Sequence, residues 1–157
     1  MTSLTVARVD PLDPAAIACL ERYYAELAAV LKTGFDVNLS NAPNADEMRP
    51  PRGRFFIATH DGRPVGCVGL KGGTDYAEIK RLWVDPDTRG LGIARKLMEA
   101  TEADARTIGI RCLRLDTNTA LPAAIAMYRK WNWTEIAPFN DDPYAQVFFE
   151  KLLPAQP

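Results

Sequence analysis

Histidine is nearly absent from this sequence, because the 157-residue chain has one, His60. It adjoins Asp61-Gly62, a dipeptide typical of a tight hairpin turn, so we expect a surface residue and little support for a Ser-His-Asp hydrolase. Cysteine is scarce as well. Cys19, Cys67 and Cys112 lie far apart in apolar stretches. This predicts buried free thiols in a reducing compartment, and no bound metal.

A surplus of charge of either sign is also missing. The chain has 19 Lys and Arg against 20 Asp and Glu, and a formal net charge of -1, which argues against a nucleic-acid partner. No apolar run approaches the roughly 18 residues that span a membrane, and "MTSLTVARVD" lacks the layout of a secretory signal. The ordinary share of hydrophobic residues, 47%, and the length predict one cytoplasmic domain over residues 1–157 with no membrane partner.

Hydrophobic periodicity predicts a mixed α/β fold with the order β-α-β-β-β-α-β-α-β-β. Helical spacing continues from Pro14 to about Lys32, where Gly34 ends the helix, and residues 35–53 are a loop with room for a short helix. Antiparallel hairpins then flank one central β-α-β crossover. The predicted core stripe of the first helix is Ile17, Leu20, Tyr24, Leu27, Val30 and Leu31. The predicted strands are 4–9, 54–71 (a hairpin turning at Asp61-Gly62), 76–84, 109–117, 133–137 and 145–153. The last predicted helix is 122–130.

Two glycines mark the start of the helix inside that crossover. In "VDPDTRGLGIARKLM", Gly90 and Gly92 follow Arg89 and precede an amphipathic stretch. A helix N-terminus offers unpartnered N–H groups to a phosphate, and glycines let it approach closely. The alternative is that they serve only a tight strand-to-helix turn. A Walker loop is excluded by the lack of Gly-Lys-Ser/Thr, and a dinucleotide fingerprint is poor because Arg95 occupies the third glycine position.

The strand before this loop breaks its own alternation. Ile79, Leu82 and Val84 have spacings of three and then two, which predicts a β-bulge near Lys80-Arg81. A bulged strand that splays from strand 111–117 would leave a slot where an extended, amide-bearing ligand could pair with the backbone. Coenzyme A combines such an amide-rich arm with a pyrophosphate.

With these motifs the sequence resembles the GCN5-related N-acetyltransferases (GNAT). The family signature Arg/Gln-x-x-Gly-x-Gly/Ala is matched by Arg89-Gly90-Leu91-Gly92-Ile93-Ala94. The downstream "AAIAMYRKWNW" is similar to the segment A-x-x-x-Tyr-x-x-x-Gly-Phe, with Ala124, Tyr128 and Asn132-Trp133. One departure is Leu121, where many members have an asparagine that contacts the pantetheine arm; Asn118 is the nearby substitute.

The resemblance implies a GNAT-like mixed sheet with a splayed, bulged fourth strand, and acetyl-CoA as co-substrate. It implies that backbone N–H groups of the splayed strand bind pantetheine and polarise the thioester carbonyl. The cofactor-binding residues that it implies are Leu82, Trp83, Val84, Arg89, Gly90, Leu91, Gly92, Ile93, Ala94, Arg95, Asn118 and Ala124.

Two residues match the family's catalytic groups. Tyr128 corresponds to the general acid that protonates the leaving thiolate; core packing is its alternative, since it shares a helical stripe with Leu121 and Ala124. Glu78 resembles the strand-four glutamate that acts as base in some members. Its alternatives are a solvated residue paired with Lys80 or Arg114, or ordered water as the base.

The predicted function is acetyl-CoA-dependent N-acetylation of a small-molecule or peptide amine by direct attack in a ternary complex. A CoA-binding regulatory domain without turnover and a nucleotide-binding module are the rival hypotheses, and a homodimer is one option for the assembly. Cys67 and Cys112 lie inside strands, which are poor places for a nucleophile. The candidate acceptor-binding residues are Arg49, Arg52 and Arg54, which could also be a solvated loop, and Tyr23, Tyr24 and Phe35.

Overall fold

The sequence folds as a mixed sheet that carries helices on both faces. A computed structural model describes residues 3–32, 34–37 and 45–154, and within these ranges the chain forms seven strands and three helices. The strands are β1 (Leu4–Arg8), β2 (Arg54–His60), β3 (Arg63–Lys71), β4 (Ala77–Val84), β5 (Cys112–Thr117), β6 (Thr134–Ile136) and β7 (Val147–Leu152), and the helices are α1 (Pro14–Val30), α2 (Ile93–Thr107) and α3 (Pro122–Lys130).

The strands lie in the order β1-β2-β3-β4-β5-β7-β6. β4 and β5 run parallel and are joined by α2, whereas the other described neighbours run antiparallel. A parallel pair needs a crossover, and α2 supplies it. The predicted mixed α/β sheet with a central β-α-β crossover is therefore confirmed.

Successive side chains of a strand point to opposite faces of the sheet, so the core has a cluster on each face. On β2, Phe56 and Ala58 belong to the cluster that packs with α2, while Phe55 and Ile57 belong to the cluster that packs with α1. This follows from the two-residue period of a strand. Tyr128 on α3 belongs to the first cluster, so α3 shares a face with α2.

A β-bulge interrupts β4 where the sequence predicts it. Cys67 of β3 pairs with Trp83, but Gly69 pairs with Lys80, so β4 has one extra residue in this interval. Arg81 takes up the extra residue with φ of 58°, a left-handed conformation that is uncommon for a residue other than glycine. The bulge bends β4 at the point where β4 and β5 part.

The parallel pairing of β4 with β5 is short. In the part of the chain that the structure describes, it consists of Ala77 with Leu113 and Glu78 with Arg114. Beyond Glu78 the two strands diverge, and one side-chain contact, between Lys80 Nζ and Asp116 Oδ2 at 3.5 Å, still crosses the opening. The predicted splayed fourth strand is present.

The buried face of α1 differs from the predicted stripe. The side chains of Ile17 and Val30 are 38% and 41% exposed, while the small residues Ala16 and Cys19 are buried. Leu20, Leu27 and Leu31 of the predicted stripe are buried as expected. The buried face therefore extends toward Ala16 and Cys19, whose small side chains let the helix approach the sheet closely, and Ile17 and Val30 lie at its exposed margins. The helix also ends at Val30, two residues before the predicted Lys32.

The predictions for the cysteines and for the histidine have different outcomes. Cys19, Cys67 and Cys112 are free thiols; the first two are buried and Cys112 is half-buried at the start of β5. His60, however, is not a surface residue of the turn. It is the last residue of β2, and its side chain is 16% exposed.

Candidate active site

The loop before α2 is shaped by its two glycines. Gly90 has φ of 91°, and Gly92, the N-cap of α2, has φ of 75°. A Cβ at either position would meet no described atom within 4 Å, so open space lies beside the backbone. The turn requires their conformation, as the second alternative expects. The open space leaves room for an anion at the first N–H groups of α2, and the phosphate site stays a prediction.

A buried aspartate anchors the entry to this loop. Asp85 is 3% exposed and accepts a 2.9 Å hydrogen bond from the N–H of Asp87. Arg22 of α1 lies 2.9 Å from its other oxygen. Burial opposes ionisation of Asp85, but the bond from Asp87 and the Arg22 cation outweigh it and lower the pKa of the carboxyl below its ordinary value.

The arginines of the loop already have carboxylate partners. Arg89 donates to Glu26 Oε1 of α1 at 2.8 Å, and Arg95 lies 3.4 Å from Glu99. The Arg95 guanidinium also lies 5.6 Å from the ring centroid of Trp131. Phosphate binding by Arg89 and Arg95 stays a prediction. To bind a phosphate, Arg89 would have to exchange its 2.8 Å hydrogen bond to Glu26 for one to the phosphate.

Neighbouring residues of the predicted cofactor set point in different directions. Leu91 is 51% exposed beside the open space, whereas Ile93 is 2% exposed and packs in the core under α2. The contribution of Ile93 to a ligand would thus come from its backbone. Ala94 and, on α3, Ala124 are half-buried.

The second half of β4 is fixed from the α1 side. Trp83 is 4% exposed, and its indole Nε1 donates a 2.7 Å hydrogen bond to Glu26 Oε2. The guanidinium of Arg22 lies 4.8 Å from its ring centroid. The Trp83 side chain therefore packs, while Leu82 and Val84 lie on the stretch of β4 that no longer pairs with β5.

An open cavity lies over the divergence of β4 and β5. Its floor is β4 from Ile79 to Arg81 and the end of β5. Tyr23 and Tyr24 of α1 and Phe35, the aromatic candidates for acceptor binding, line it, and their role toward an acceptor stays a prediction. The remaining lining residues are Leu27, Leu31, Val37, Asp116, Thr117, Asn118, Leu121, Asp142 and Tyr144.

The predicted general acid, Tyr128, lies on the opposite face of the sheet and is not among the residues that line the cavity. Tyr128 is 6% exposed, and its ring packs against Trp133 and Phe149 with centroids 5.8 and 5.7 Å away. Burial raises its pKa above the ordinary value, and the negative charge of Asp116 adds to the shift. The packing role of the ring is confirmed, and the phenol stays protonated, as a proton donor must be.

Tyr23 is linked electrostatically to the same place. Its pKa is raised chiefly by burial, and the negative charge of Asp116 adds to the shift. Tyr23 belongs to α1 and Tyr128 to α3, on opposite faces of the sheet. The same carboxylate thus contributes to the raised pKa of both phenols.

Glu78 lies outside this cavity lining. It is 6% exposed, so it is not solvated, and its two oxygens lie 3.5 Å from Lys71 Nζ and 3.5 Å from Lys80 Nζ. The expected pairing with Lys80 is present. The role of Glu78 as base stays a prediction.

Asp116 is a functional candidate that sequence reasoning misses. It lines the cavity, faces Lys80 and accepts a 2.9 Å hydrogen bond from Asn140 Nδ2. A signal does exist, because Asp116 follows the apolar Leu113 and Leu115 at the carboxyl end of a parallel strand. Ligands of open α/β sheets bind at such strand ends.

Asn118, the suggested substitute for the family's asparagine, lines the same cavity as Leu121. Its Nδ2 donates to Tyr144 O at 3.0 Å, and its Oδ1 accepts from Ala120 N at 2.8 Å. The amide thus shapes the turn after β5. A contact of Asn118 with pantetheine stays a prediction.

The arginine cluster around Pro50-Pro51 is separate from the cavity. Arg49 lies 2.9 Å from Asp10 and also contacts Asp46, and Arg54 lies 3.2 Å from Asp104. Neither residue lines the cavity. Arg49 ties the loop to the segment after β1, and Arg54 ties the start of β2 to α2, so neither side chain is simply solvated. A role of these arginines toward the acceptor stays a prediction.

The described ranges set two further bounds. None of their helices is both long and apolar enough to cross a bilayer. Nor do they bring together three or more His, Cys, Asp or Glu side chains that could hold a metal ion.

Comparison with known proteins agrees with this geometry. Residues 11–133 match the model of the acetyltransferase (GNAT) family. An "IAA acetyltransferase" of Azospirillum brasilense is 33% identical over 158 residues, with 98% of this chain and 100% of that protein covered.

Solved structures share the fold. A "putative acyl-CoA N-acyltransferase" of Klebsiella pneumoniae superposes with a TM-score of 0.75 at 28% identity, covering 96% of this chain and 97% of that one. A "putative streptothricin acetyltransferase" of Bacillus anthracis, in complex with acetyl coenzyme A, gives 0.60 at 20% identity over 69% and 67%. With its signature loop, bulged strand and family match together, the chain belongs to the acetyltransferase (GNAT) family and is an N-acetyltransferase.

Proposed function

We propose that this protein transfers an acetyl group from acetyl-CoA to the primary amine of a small molecule or peptide, by direct attack in a ternary complex. The observation that carries the proposal is the opening between β4 and β5 beyond Glu78. It lies between the glycine-lined N-terminus of α2 and the cavity under α1. A co-substrate and an acceptor can thus meet at one point.

The residues present fit acetyl-CoA. The N–H groups of residues 90–95 at the start of α2 would bind the pyrophosphate, with Arg89 beside them. The backbone of β4 from Leu82 to Val84 would hydrogen-bond the amides of the arm, with Asn118 on the facing strand end. Acetyl-CoA supplies the acetyl group as a thioester whose thiolate is the leaving group.

Tyr128 is the proton donor in this proposal. Its raised pKa keeps the phenol neutral at physiological pH, so the hydroxyl can give a proton where negative charge develops. Its ring is locked between Trp133 and Phe149, which fixes the direction of the hydroxyl. Positioning of this kind lowers the cost of the proton transfer.

A base that removes the amine proton is also needed, since only the neutral amine attacks the thioester. Two carboxylates are available, Glu78 and Asp116. Asp116 lines the cavity, while Glu78 is held between Lys71 and Lys80. Kinetics of Glu78→Gln and Asp116→Asn would separate them. Replacement of the true base should lower the rate of acetyl transfer most at low pH, where the amine is most protonated.

The test of the function is turnover on a panel of amines. CoA thiol release is followed with acetyl-CoA and each amine, and the N-acetyl product is identified by mass spectrometry. Initial rates at varied concentrations of both substrates should intersect, as a ternary complex requires. Parallel lines would indicate an acyl-enzyme, and a protein that binds acetyl-CoA but acetylates no amine would be a regulatory CoA-binding domain.

A further inference from the structure

Aromatic rings form one wall of the cavity under α1. The rings of Tyr24 and Phe35 are stacked, with centroids 5.5 Å apart and an angle of 24° between planes. The Phe35 and Tyr144 centroids are 4.8 Å apart. Leu27 and Leu31 of α1 complete this side. Ring faces and aliphatic groups in this arrangement suit a flat, apolar ligand group.

Hydrogen bonds hold this wall in place. The N–H of Asp36 donates to the Tyr144 hydroxyl at 2.8 Å, and Asn118 Nδ2 donates to the Tyr144 carbonyl at 3.0 Å. Tyr144 thus joins segment 34–37 to the end of β5 across the cavity. A bridge at this point leaves less room for a chain that continues through the cavity, which favours a small molecule over a peptide.

Charges of opposite sign lie on the cavity floor. Arg81 belongs to β4 and Asp116 to β5. The bulge holds Arg81 in the left-handed region, with its guanidinium carbon 5.8 Å from the ring centroid of Tyr24. A bulge re-aims side chains, and a strained backbone conformation is an indication of function.

Arg81 is better suited than Lys80 to bind a ligand carboxylate. The Lys80 ammonium is shared between Glu78 and Asp116, each 3.5 Å away. A guanidinium has five N–H donors in a planar fork, which can bind a carboxylate bidentately while keeping other contacts. Of the two cations in the lining, Arg81 thus lies beside the aromatic wall. Of its two carboxylates, Asp116 lies on β5 across the opening, and Asp142 accepts a 2.8 Å hydrogen bond from the Tyr144 N–H.

We propose that the acceptor is a small molecule with an aromatic ring and a carboxylate as well as the reactive amine, and that Arg81 binds the carboxylate. This inference rests on the proposed function for its acceptor site. The ring lies against Tyr24 and Phe35, and the amine lies toward Asp116 and the opening. An aromatic amino acid has this combination of groups.

Binding of the carboxylate can be tested with an aromatic acid that has no amine and so cannot be acetylated. Isothermal titration compares 3-phenylpropionate with 3-phenylpropanamide, a neutral match of the same shape. The acid should bind the wild type at least tenfold more tightly, as expected for charge-assisted hydrogen bonds. Arg81→Met should remove the difference, Arg81→Lys should keep part of it, and Arg63→Met, an exposed arginine outside the cavity, should leave it intact. Equal binding of acid and amide by the wild type would overturn the proposal.

Turnover supplies the second measurement. The ratio of kcat/KM for phenylalanine to that for phenethylamine should be at least ten in the wild type and should approach one in Arg81→Met. Preference for phenethylamine would overturn the substrate class while leaving the proposed function standing. Failure to acetylate any amine would overturn the proposed function, and the titrations would still decide whether the cavity selects aromatic acids.

Discussion

Trp83 and Glu26 are joined by a 2.7 Å hydrogen bond from the indole Nε1 to the carboxylate. The other oxygen of Glu26 accepts from Arg89 at 2.8 Å. One side chain of α1, the helix over the cavity, therefore holds both the strand beyond the bulge and the loop before α2. We expect phosphate binding at this loop to be coupled to the position of α1 through this carboxylate.

Replacement of Glu26 by Gln tests that coupling. Gln can still accept from Trp83 but no longer attracts Arg89, so we expect acetyl-CoA to bind two- to fivefold more tightly. The gain is small because exposed ion pairs contribute about 0–1 kcal/mol. Titrations of Glu26→Gln, Arg89→Ala and the double variant form a thermodynamic cycle. Equal effects of Glu26→Gln with and without Arg89 would show that the two residues are independent.

The phosphate loop has a matched control at the other end of α2. Gly92 and Gly109 have φ of 75° and 86°, and a Cβ at either meets no described atom within 4 Å. Alanine should therefore destabilise both by a similar amount, about 1–2 kcal/mol of backbone strain. Acetyl-CoA affinity should fall at least tenfold for Gly92→Ala alone, because its Cβ would enter the space of the pyrophosphate. Normal affinity in a folded Gly92→Ala protein would contradict the phosphate site.

Tyr128→Phe separates chemistry from packing. The ring contacts with Trp133 and Phe149 remain, so the free energy of unfolding should change by about 1 kcal/mol or less. The value of kcat should fall by roughly 10²–10⁴, with little change in KM, because the hydroxyl acts only as charge develops. Steady-state kinetics with any accepted amine measures this, and wild-type kcat would remove Tyr128 from the mechanism.

Asp85 should make the stability of the folded protein depend on pH in the acid range. Its pKa is lowered in the folded protein from an ordinary value of 3.8. The stabilisation is therefore present above about pH 4 and is lost as pH falls through the lower, folded-state pKa. Thermal unfolding followed from pH 6 to pH 3 should show a steeper decline of Tm for the wild type than for Asp85→Asn. Parallel curves would mean that the Asp85 carboxylate adds no pH dependence.

The sequence predicts those parts of the site that depend on local backbone geometry. The bulge at Arg81 follows from the broken alternation after Ile79, and the loop before α2 follows from Gly90 and Gly92. Such features need particular residues at adjacent positions, so the chain records them locally.

Residues that meet through tertiary packing are not predictable in this way. Asp116 and Tyr144 come from the end of β5 and a late loop and line one cavity, and Glu26 of α1 meets Trp83 and Arg89. The position of Asp116 at a strand end is a local signal, but nothing near Glu26 or Tyr144 in the sequence indicates their partners. The same limit explains the error on α1: periodicity reveals that a helix has an apolar face, but the small residues Ala16 and Cys19 decide which face reaches the sheet.

The short pairing of β4 with β5 has a consequence for local stability. Within the described sheet, backbone pairing between the four strands β1 to β4 and the three strands β5 to β7 consists of two residue pairs, while side chains of both groups share one core cluster. A pantetheine arm between β4 and β5 would supply hydrogen bonds that the chain itself does not make. Amides of β4 and β5 beyond Glu78 should therefore exchange faster than those of the flanking strands in the ligand-free protein, and acetyl-CoA should slow them. At a hundredfold excess over Kd the ligand would add about 2.7 kcal/mol to the free energy of unfolding, so the co-substrate would serve as part of the sheet as well as a reagent.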